Sequence, residues 1–152
     1  MANFLKNYYC LSNKIFKPAF SLPLPNYKMK SILIIEDNTA IRENAIEMLE
    51  LEGYIVMAAA DGNEGVKMAE ENLPDLILSD VMMPGLNGHE VFNELKKNKS
   101  TQSIPFVFMT SSVEKKEIDS ALQKGADGYI KKPFEDVDFF KTIEQCLESK
   151  FK

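Results

Sequence analysis

Pro74-Asp75-Leu76-Ile77-Leu78-Ser79-Asp80-Val81-Met82-Met83-Pro84-Gly85 is the stretch on which the fold turns. A proline opens it, a short apolar run follows, one carboxylate closes the run, and Pro84-Gly85 makes a turn. An apolar run of this length between breakers reads as a strand buried on both faces. Asp80 then lies where a buried strand gives way to a loop. In open α/β sheets, ligand chemistry collects at the carboxyl ends of the strands. Asp is also an ordinary turn former, so the two readings are even until the rest of the chain is added.

Outward from this stretch, strand and helix patterns alternate. Apolar, largely β-branched runs predict strands at Ser31–Ile35, Tyr54–Ala58, Asp75–Ser79 and Ile104–Met109, with a short fifth strand at Tyr129–Ile130. Between and after them, apolar residues recur at helical spacing: Ile41, Ala45, Met48 and Leu49; Val66, Ala69 and Leu73; Val91, Phe92 and Leu95; Ile118, Ala121 and Leu122; Val137, Phe140, Ile143 and Leu147. Gly53, Pro74 and Gly125 stop the first, second and fourth helices, and Asp61 or Asn63 can cap the second. Lys96-Lys97-Asn98-Lys99 suits the negative end of the third helix and reads as a solvated terminus. Strand then helix, five times with short connections, is an α/β pattern: a parallel sheet covered on both faces. Right-handed crossovers leave few topologies, of which a doubly wound five-stranded sheet of order 2-1-3-4-5 is the natural choice.

The bulk numbers exclude several classes. A chain of 152 residues, 45% hydrophobic and 27% charged, has the composition of an ordinary soluble globular protein with one domain. Cys10 and Cys146 are far apart and lack metal-ligand spacing, which argues against a disulfide framework and for a reducing compartment. The lone histidine, His89, cannot build a histidine metal site and is expected at the surface near a helix start. No apolar run approaches a membrane span. The charge is uneven: residues 1 to 30 hold five lysines and no acid, while the remainder holds 13 basic and 23 acidic residues, a net of −10. Nothing in that acidic part resembles a nucleic-acid footprint. Residues 1 to 28 show no clear period and are interrupted by Pro18, Pro23 and Pro25. For this N-terminal extension three readings stand: a flexible tail, which is preferred; a targeting segment; or sequence upstream of a start at Met29. Residues 29 to 152 form the domain.

The polar residues at the strand ends form a constellation. Strand one ends in Glu36-Asp37, strand three in Asp80, strand four in Thr110, and strand five runs into Lys132. All are at carboxyl ends and converge on one rim, at the junction of strands one and three where helices leave on opposite faces. Carboxylates about 4 Å apart repel by roughly 4 kcal/mol at an effective dielectric near 20, so the cluster needs a cation. A few hard oxygen ligands suit Mg²⁺ better than zinc. A carboxylate nucleophile beside Mg²⁺, with Lys132 and the Thr110 hydroxyl on the incoming oxygens, is a phosphoryl-transfer arrangement.

Those residues carry a resemblance. Ile34-Ile35-Glu36-Asp37, the stretch Asp75 to Gly85, Met109-Thr110-Ser111, and Gly125 through Tyr129 to Lys132-Pro133-Phe134 resemble the receiver domain of two-component response regulators. The resemblance covers the chain from about Met29 to Lys152. It implies a flavodoxin-like (βα)5 fold, and the order 2-1-3-4-5 rests partly on it, since a chemotaxis regulator of this family is a standard example of that order. It implies that Asp80 accepts a phosphoryl group from a sensor histidine kinase or a phosphotransfer protein. Glu36 and Asp37 hold Mg²⁺ with Asp80, and Met82 adds its backbone carbonyl. Glu36 in place of Asp is familiar in the family. Lys132 takes the phosphoryl oxygens, with Pro133 after a cis bond. Thr110 and Tyr129 form the switch pair that changes the surface of helix four, strand five and helix five. Met82 and Ser112 are expected to tune phosphoryl lifetime through water access, although Met82 as a simple loop cover is an equal reading.

The implied protein is a cytoplasmic signalling domain rather than an enzyme. It meets a downstream protein target, makes no direct nucleic-acid or membrane contact, and is a monomer or a phosphorylation-dependent dimer. One alternative is a receiver excised from a longer regulator or hybrid kinase. Another is an aspartyl-phosphate phosphatase, against which Met82 stands where such enzymes usually place a second carboxylate. A flavin module lacks a phosphate-cradling loop after strand one. Phe139 and Phe140 are adjacent on the last helix; core packing is the reading favoured over a partner surface.

Overall fold

The computed structural model describes residues 29–111 and 115–149. Strands and helices alternate as β1 (Ser31–Ile35), α1 (Thr39–Leu51), β2 (Ile55–Ala59), α2 (Gly62–Asn72), β3 (Leu76–Asp80), α3 (Gly88–Lys97), β4 (Phe106–Thr110), α4 (Lys115–Gln123), β5 (Gly128–Lys131) and α5 (Asp136–Ser149). The strands form one sheet, every pairing parallel, in the order β2-β1-β3-β4-β5. This is the expected doubly wound fold. The readings of residues 1 to 28 and of Ser112 lie outside the described residues.

Side-chain alternation along the strands divides the core in two. Leu33, Ile35, Ile77, Phe106 and Phe108 face α2 and α3, where Ala69, Val91, Phe92 and Leu95 are buried. Ile32, Ile34, Leu76, Leu78, Val107 and Met109 face α1 and α5, where Ala45, Leu49, Phe139 and Ile143 close the second layer. The two faces together explain why β1, β3 and β4 read as continuous apolar runs. Phe139 is fully buried and Phe140 half-buried against the same layer, their rings 5.4 Å apart and edge to face. Both therefore belong to the core.

Strands β2 and β3 end one residue later than their apolar runs suggest, because the ladder continues past them. Glu36 N–H donates to the Ala59 carbonyl at 3.1 Å, Val81 N–H to Met109 at 3.1 Å, and Lys132 N–H to Thr110 at 2.7 Å. The rim residues are thus clamped by backbone hydrogen bonds rather than carried on free loops. β4 begins at Phe106 and not at Ile104: Pro105 has no N–H, and Ile104 N–H closes a turn onto Thr101 at 3.0 Å. Helix starts are capped as their sequences allow. Asn38 accepts from Ile41 N–H and Asp61 from Glu64 N–H, while Asn87 and Glu90 form a reciprocal capping box. Lys96 is not a solvated terminus. Its ammonium donates to the carbonyls of Gln102 (2.8 Å) and Ile104 (3.2 Å) and lies over the Phe92 ring, and burial lowers its pKa.

Candidate functional site

The carboxyl rim holds a cavity of about 720 Å³ lined by Glu36, Asp37, Asp80, Met82, Thr110 and Lys132, with His89 and the α4 side. Each wall follows from a strand end. β1 delivers Glu36 and Asp37 just ahead of the Asn38 cap. Glu36 is buried and its Oε1 accepts from Asn38 N–H at 3.1 Å, while the Arg42 guanidinium donates to the Glu36 backbone carbonyl at 2.7 Å. β3 delivers Asp80, buried and paired in register with Met109. β4 delivers Thr110, also buried, and the β5–α5 connection delivers Lys132 through a cis Lys132–Pro133 bond.

One ammonium joins the strands. Lys132 Nζ lies 2.9 Å from Glu36 Oε2 and 2.9 Å from Asp80 Oδ1, with its side chain 9% exposed. Burial works to lower the Lys132 pKa, but the hydrogen bonds to Asp80 and Glu36 outweigh it and the net shift is upward. Burial raises the Glu36 pKa and the neighbouring Asp80 charge adds to this, against the opposing hydrogen bond from Lys132. Carboxylate oxygens of Glu36, Asp37 and Asp80 all lie within 4.8 Å of one another. Three carboxylates and one ammonium leave a formal charge of −2. A hard divalent cation matches that charge and that all-oxygen donor set.

Of the residues predicted from sequence, Glu36, Asp37, Asp80, Thr110 and Lys132 share one cavity at the carboxyl rim. Met82 lines the same cavity with its side chain 80% exposed. Tyr129 is separate. On β5 it lies 41% exposed, in a second depression with Ile118, Lys131 and Phe134.

Two features of the cavity were not anticipated. His89 is half-buried rather than at the surface, its ring 4.9 Å from Phe108, and it lines the cavity. Lys116 and Ser120 of α4, with Lys124 in the turn just after it, form one wall. Their spacing of four puts them on one helical side, a signal present in the sequence.

Comparison with known proteins agrees with this geometry. Residues 32–144 match the response regulator receiver domain. The protein PilH of Pseudomonas aeruginosa is 34% identical over 119 residues, covering 78% of this chain and 98% of PilH. The phosphate regulon transcriptional regulatory protein PhoB of Escherichia coli is 36% identical over 118 residues, and the match spans about half of it, 52%. The solved structure of the chemotaxis protein CheY4 of Vibrio cholerae superposes with a TM-score of 0.74 at 29% identity, covering 78% of this chain and 98% of that one. With the strand order and rim cluster already in place, the match over most of its length makes this chain a member of the response regulator receiver domain family.

Proposed function

We propose that this receiver accepts a phosphoryl group on Asp80 from the phosphohistidine of a sensor kinase or phosphotransfer protein. The carrying observation is the Lys132 ammonium at 2.9 Å from both Glu36 and Asp80, inside a three-carboxylate cluster. An Asp80 carboxylate oxygen attacks phosphorus, the Oδ–P bond forms, and the P–N bond to the donor imidazole breaks. Lys132 and the Thr110 hydroxyl donate to the transferred oxygens. Glu36, Asp37, Asp80 and the Met82 backbone carbonyl would hold Mg²⁺, which when bound offsets negative charge on carboxylates and phosphoryl oxygens. The outward Tyr129 and the buried Thr110 are the two halves of the switch. Once Asp80 is phosphorylated, the Thr110 hydroxyl turns to donate to the phosphoryl group, Tyr129 moves inward, and the α4-β5-α5 surface changes for a downstream protein. The place of action is the cytoplasm.

The test is exposure to a small acyl phosphate with Mg²⁺, read by intact mass. A single phosphoryl adduct, absent in Asp80→Asn and without Mg²⁺, is expected. No adduct on a chain folded by circular dichroism would overturn the reading. Because the match spans only 52% of PhoB, a receiver module within a longer regulator is a second reading, and the output it would drive is set by the partner sequence rather than by this domain. An aspartyl-phosphate phosphatase is disfavoured, since the exposed Met82 offers no acid or base two residues after Asp80.

A further inference from the structure

The amino-terminal end of the sheet, opposite the rim, carries a surface that the phosphoacceptor chemistry does not use. Met29, Leu51, Ile55 and Leu73 make up half of the large apolar residues that are exposed among the described residues. Backbone hydrogen bonds place them along one sheet end, Leu51 on the α1 face, Leu73 on the α2 face and Met29 and Ile55 at the strand starts between. Ile55 N–H donates to the Lys30 carbonyl at 2.9 Å, beside Met29. Tyr54 N–H donates to Leu49 at 3.1 Å, bringing up the end of α1, and Asp75 N–H to Ser31 at 2.8 Å, bringing up the end of α2. Scattered exposed apolar residues need no explanation, but a gathered set marks a contact surface.

The α1 and α2 part of that end carries more acid than base, with Glu50, Glu52, Glu70, Glu71 and Asp75 against Lys30 and Lys67, which pair with Asp75 and Glu71. Helix carboxyl ends favour cations, yet neither α1 nor α2 has a basic residue in its last turn, where α3 has Lys96 and Lys97. Exposed Glu50 sits at the end of α1, and exposed Glu70 and Glu71 at the end of α2. α2 closes on Leu73, exposed and in the left-handed region at φ 48°, a strained conformation for a leucine.

We propose that residues 1–28 of this chain dock on its own amino-terminal sheet end, with aromatic side chains on Ile55, Leu73 and Leu51 and lysines on the acidic ends of α1 and α2. The segment joins the domain at Met29, inside the surface itself. It holds Lys6, Lys14, Lys17 and Lys28, no acid, and aromatic residues including Phe16 and Phe20. Its charge is the complement of the surface, and its apolar residues match the exposed set. Tethering makes the contact intramolecular, at an effective concentration on the order of millimolar, so a weak contact is well populated. Closing so short a loop adds little entropic cost. The docked segment leaves the rim open, so phosphoryl uptake and docking are separate properties.

Methyl NMR of the full chain tests this, with the Ile55 and Leu73 methyls as probes. The parent is compared with a full-length variant carrying Lys6→Glu, Lys14→Glu, Lys17→Glu and Lys28→Glu. Ring currents are expected to displace both probes in the parent. The displacement should vanish in the variant and shrink in about 0.5 M salt, where screening reaches only a few ångströms. Leu73→Asn, which suits the left-handed backbone and so keeps the fold, should release the Ile55 probe as well. Identical probe positions in parent and charge-reversed chains would overturn the proposal. A displacement that fades on dilution would also overturn it, assigning the surface to a second copy. So would one that appears only with anionic phospholipid vesicles, assigning the segment to a membrane.

Discussion

The two ends of the sheet are built from the same five strands, yet they handle polar groups in opposite ways. At the carboxyl rim, Glu36, Asp80 and Thr110 are buried, and charge is answered by one lysine. At the amino-terminal end the buried polar groups are uncharged: the Thr101 hydroxyl, which donates to the Leu95 carbonyl at 2.7 Å, and a thiol. Cys146 lies against the Asp127 carbonyl at 3.5 Å, its pKa raised to about 11 chiefly by burial. The β-α repeat creates this difference. Every strand feeds a helix start at the rim, so positive helix ends collect there, while negative helix ends collect opposite. A buried acidic cluster beside positive helix ends and an exposed surface at negative helix ends are thus two consequences of one topology.

The largest effect should come from removing the rim's cation. Lys132→Ala leaves Glu36 and Asp80 buried without an ammonium, and loss of one partner from a buried pair costs about 3 kcal/mol or more. Urea unfolding at neutral pH without divalent ions should show that loss, with partial recovery in Mg²⁺. The variant should also take up phosphate without shifting the Tyr129 environment, read by near-ultraviolet spectra. A stability loss below about 1 kcal/mol would mean the rim charges are solvated, and the contrast between the ends would collapse.

Next come two glycines, one at each end. A Cβ at Gly88 would collide with the Asp80 carbonyl and the Val81 backbone, whereas Gly53 has open space and a left-handed φ of 90°. Gly88→Ala should cost roughly 2 kcal/mol through overpacking and displace Asp80. Gly53→Ala should cost about 1 kcal/mol through its backbone alone and leave phosphoryl uptake unchanged. Equal losses, or equal effects on uptake, would show that α3 does not brace Asp80.

The smallest effect concerns the thiol. The folded chain keeps the Cys146 proton to about pH 11, while the unfolded chain loses it near the ordinary value of 9.0. Between those values the folded state binds more protons, so this contribution is present below pH 9 and is lost as pH rises toward 11. The difference between parent and Cys146→Val in urea-unfolding free energy should change by on the order of 1 kcal/mol across that window. A flat difference would mean water reaches the thiol and that the amino-terminal end is not dry.

The rim was legible because its signals are short and local. A buried strand leaves one polar residue at its end, so Asp80, Thr110 and the Glu36-Asp37 pair stand out against Leu, Ile and Phe. The ion pairs of Glu36 and Asp80 with Lys132 span 96 positions for Glu36 and become adjacent only through the parallel order. That order was itself suggested partly by family resemblance. His89 was misread because its burial depends on Phe108, a partner from another strand. Lys96 was misread for the same reason: its carbonyl partners lie across the turn that follows α3, and hydropathy carries no record of them. The α4 side of the cavity needed the helix's rotation about its axis, which packing decides.

The strand order has a consequence for synthesis. Taken in the order the ribosome makes them, β1 and β2 pair first, β3 then adds beside β1, and β4 and β5 follow outward. Each new strand joins at an open margin, and none has to be threaded between two that are already paired. The sheet can therefore grow during translation, with β1 made before β2 and β3, the two strands that flank it.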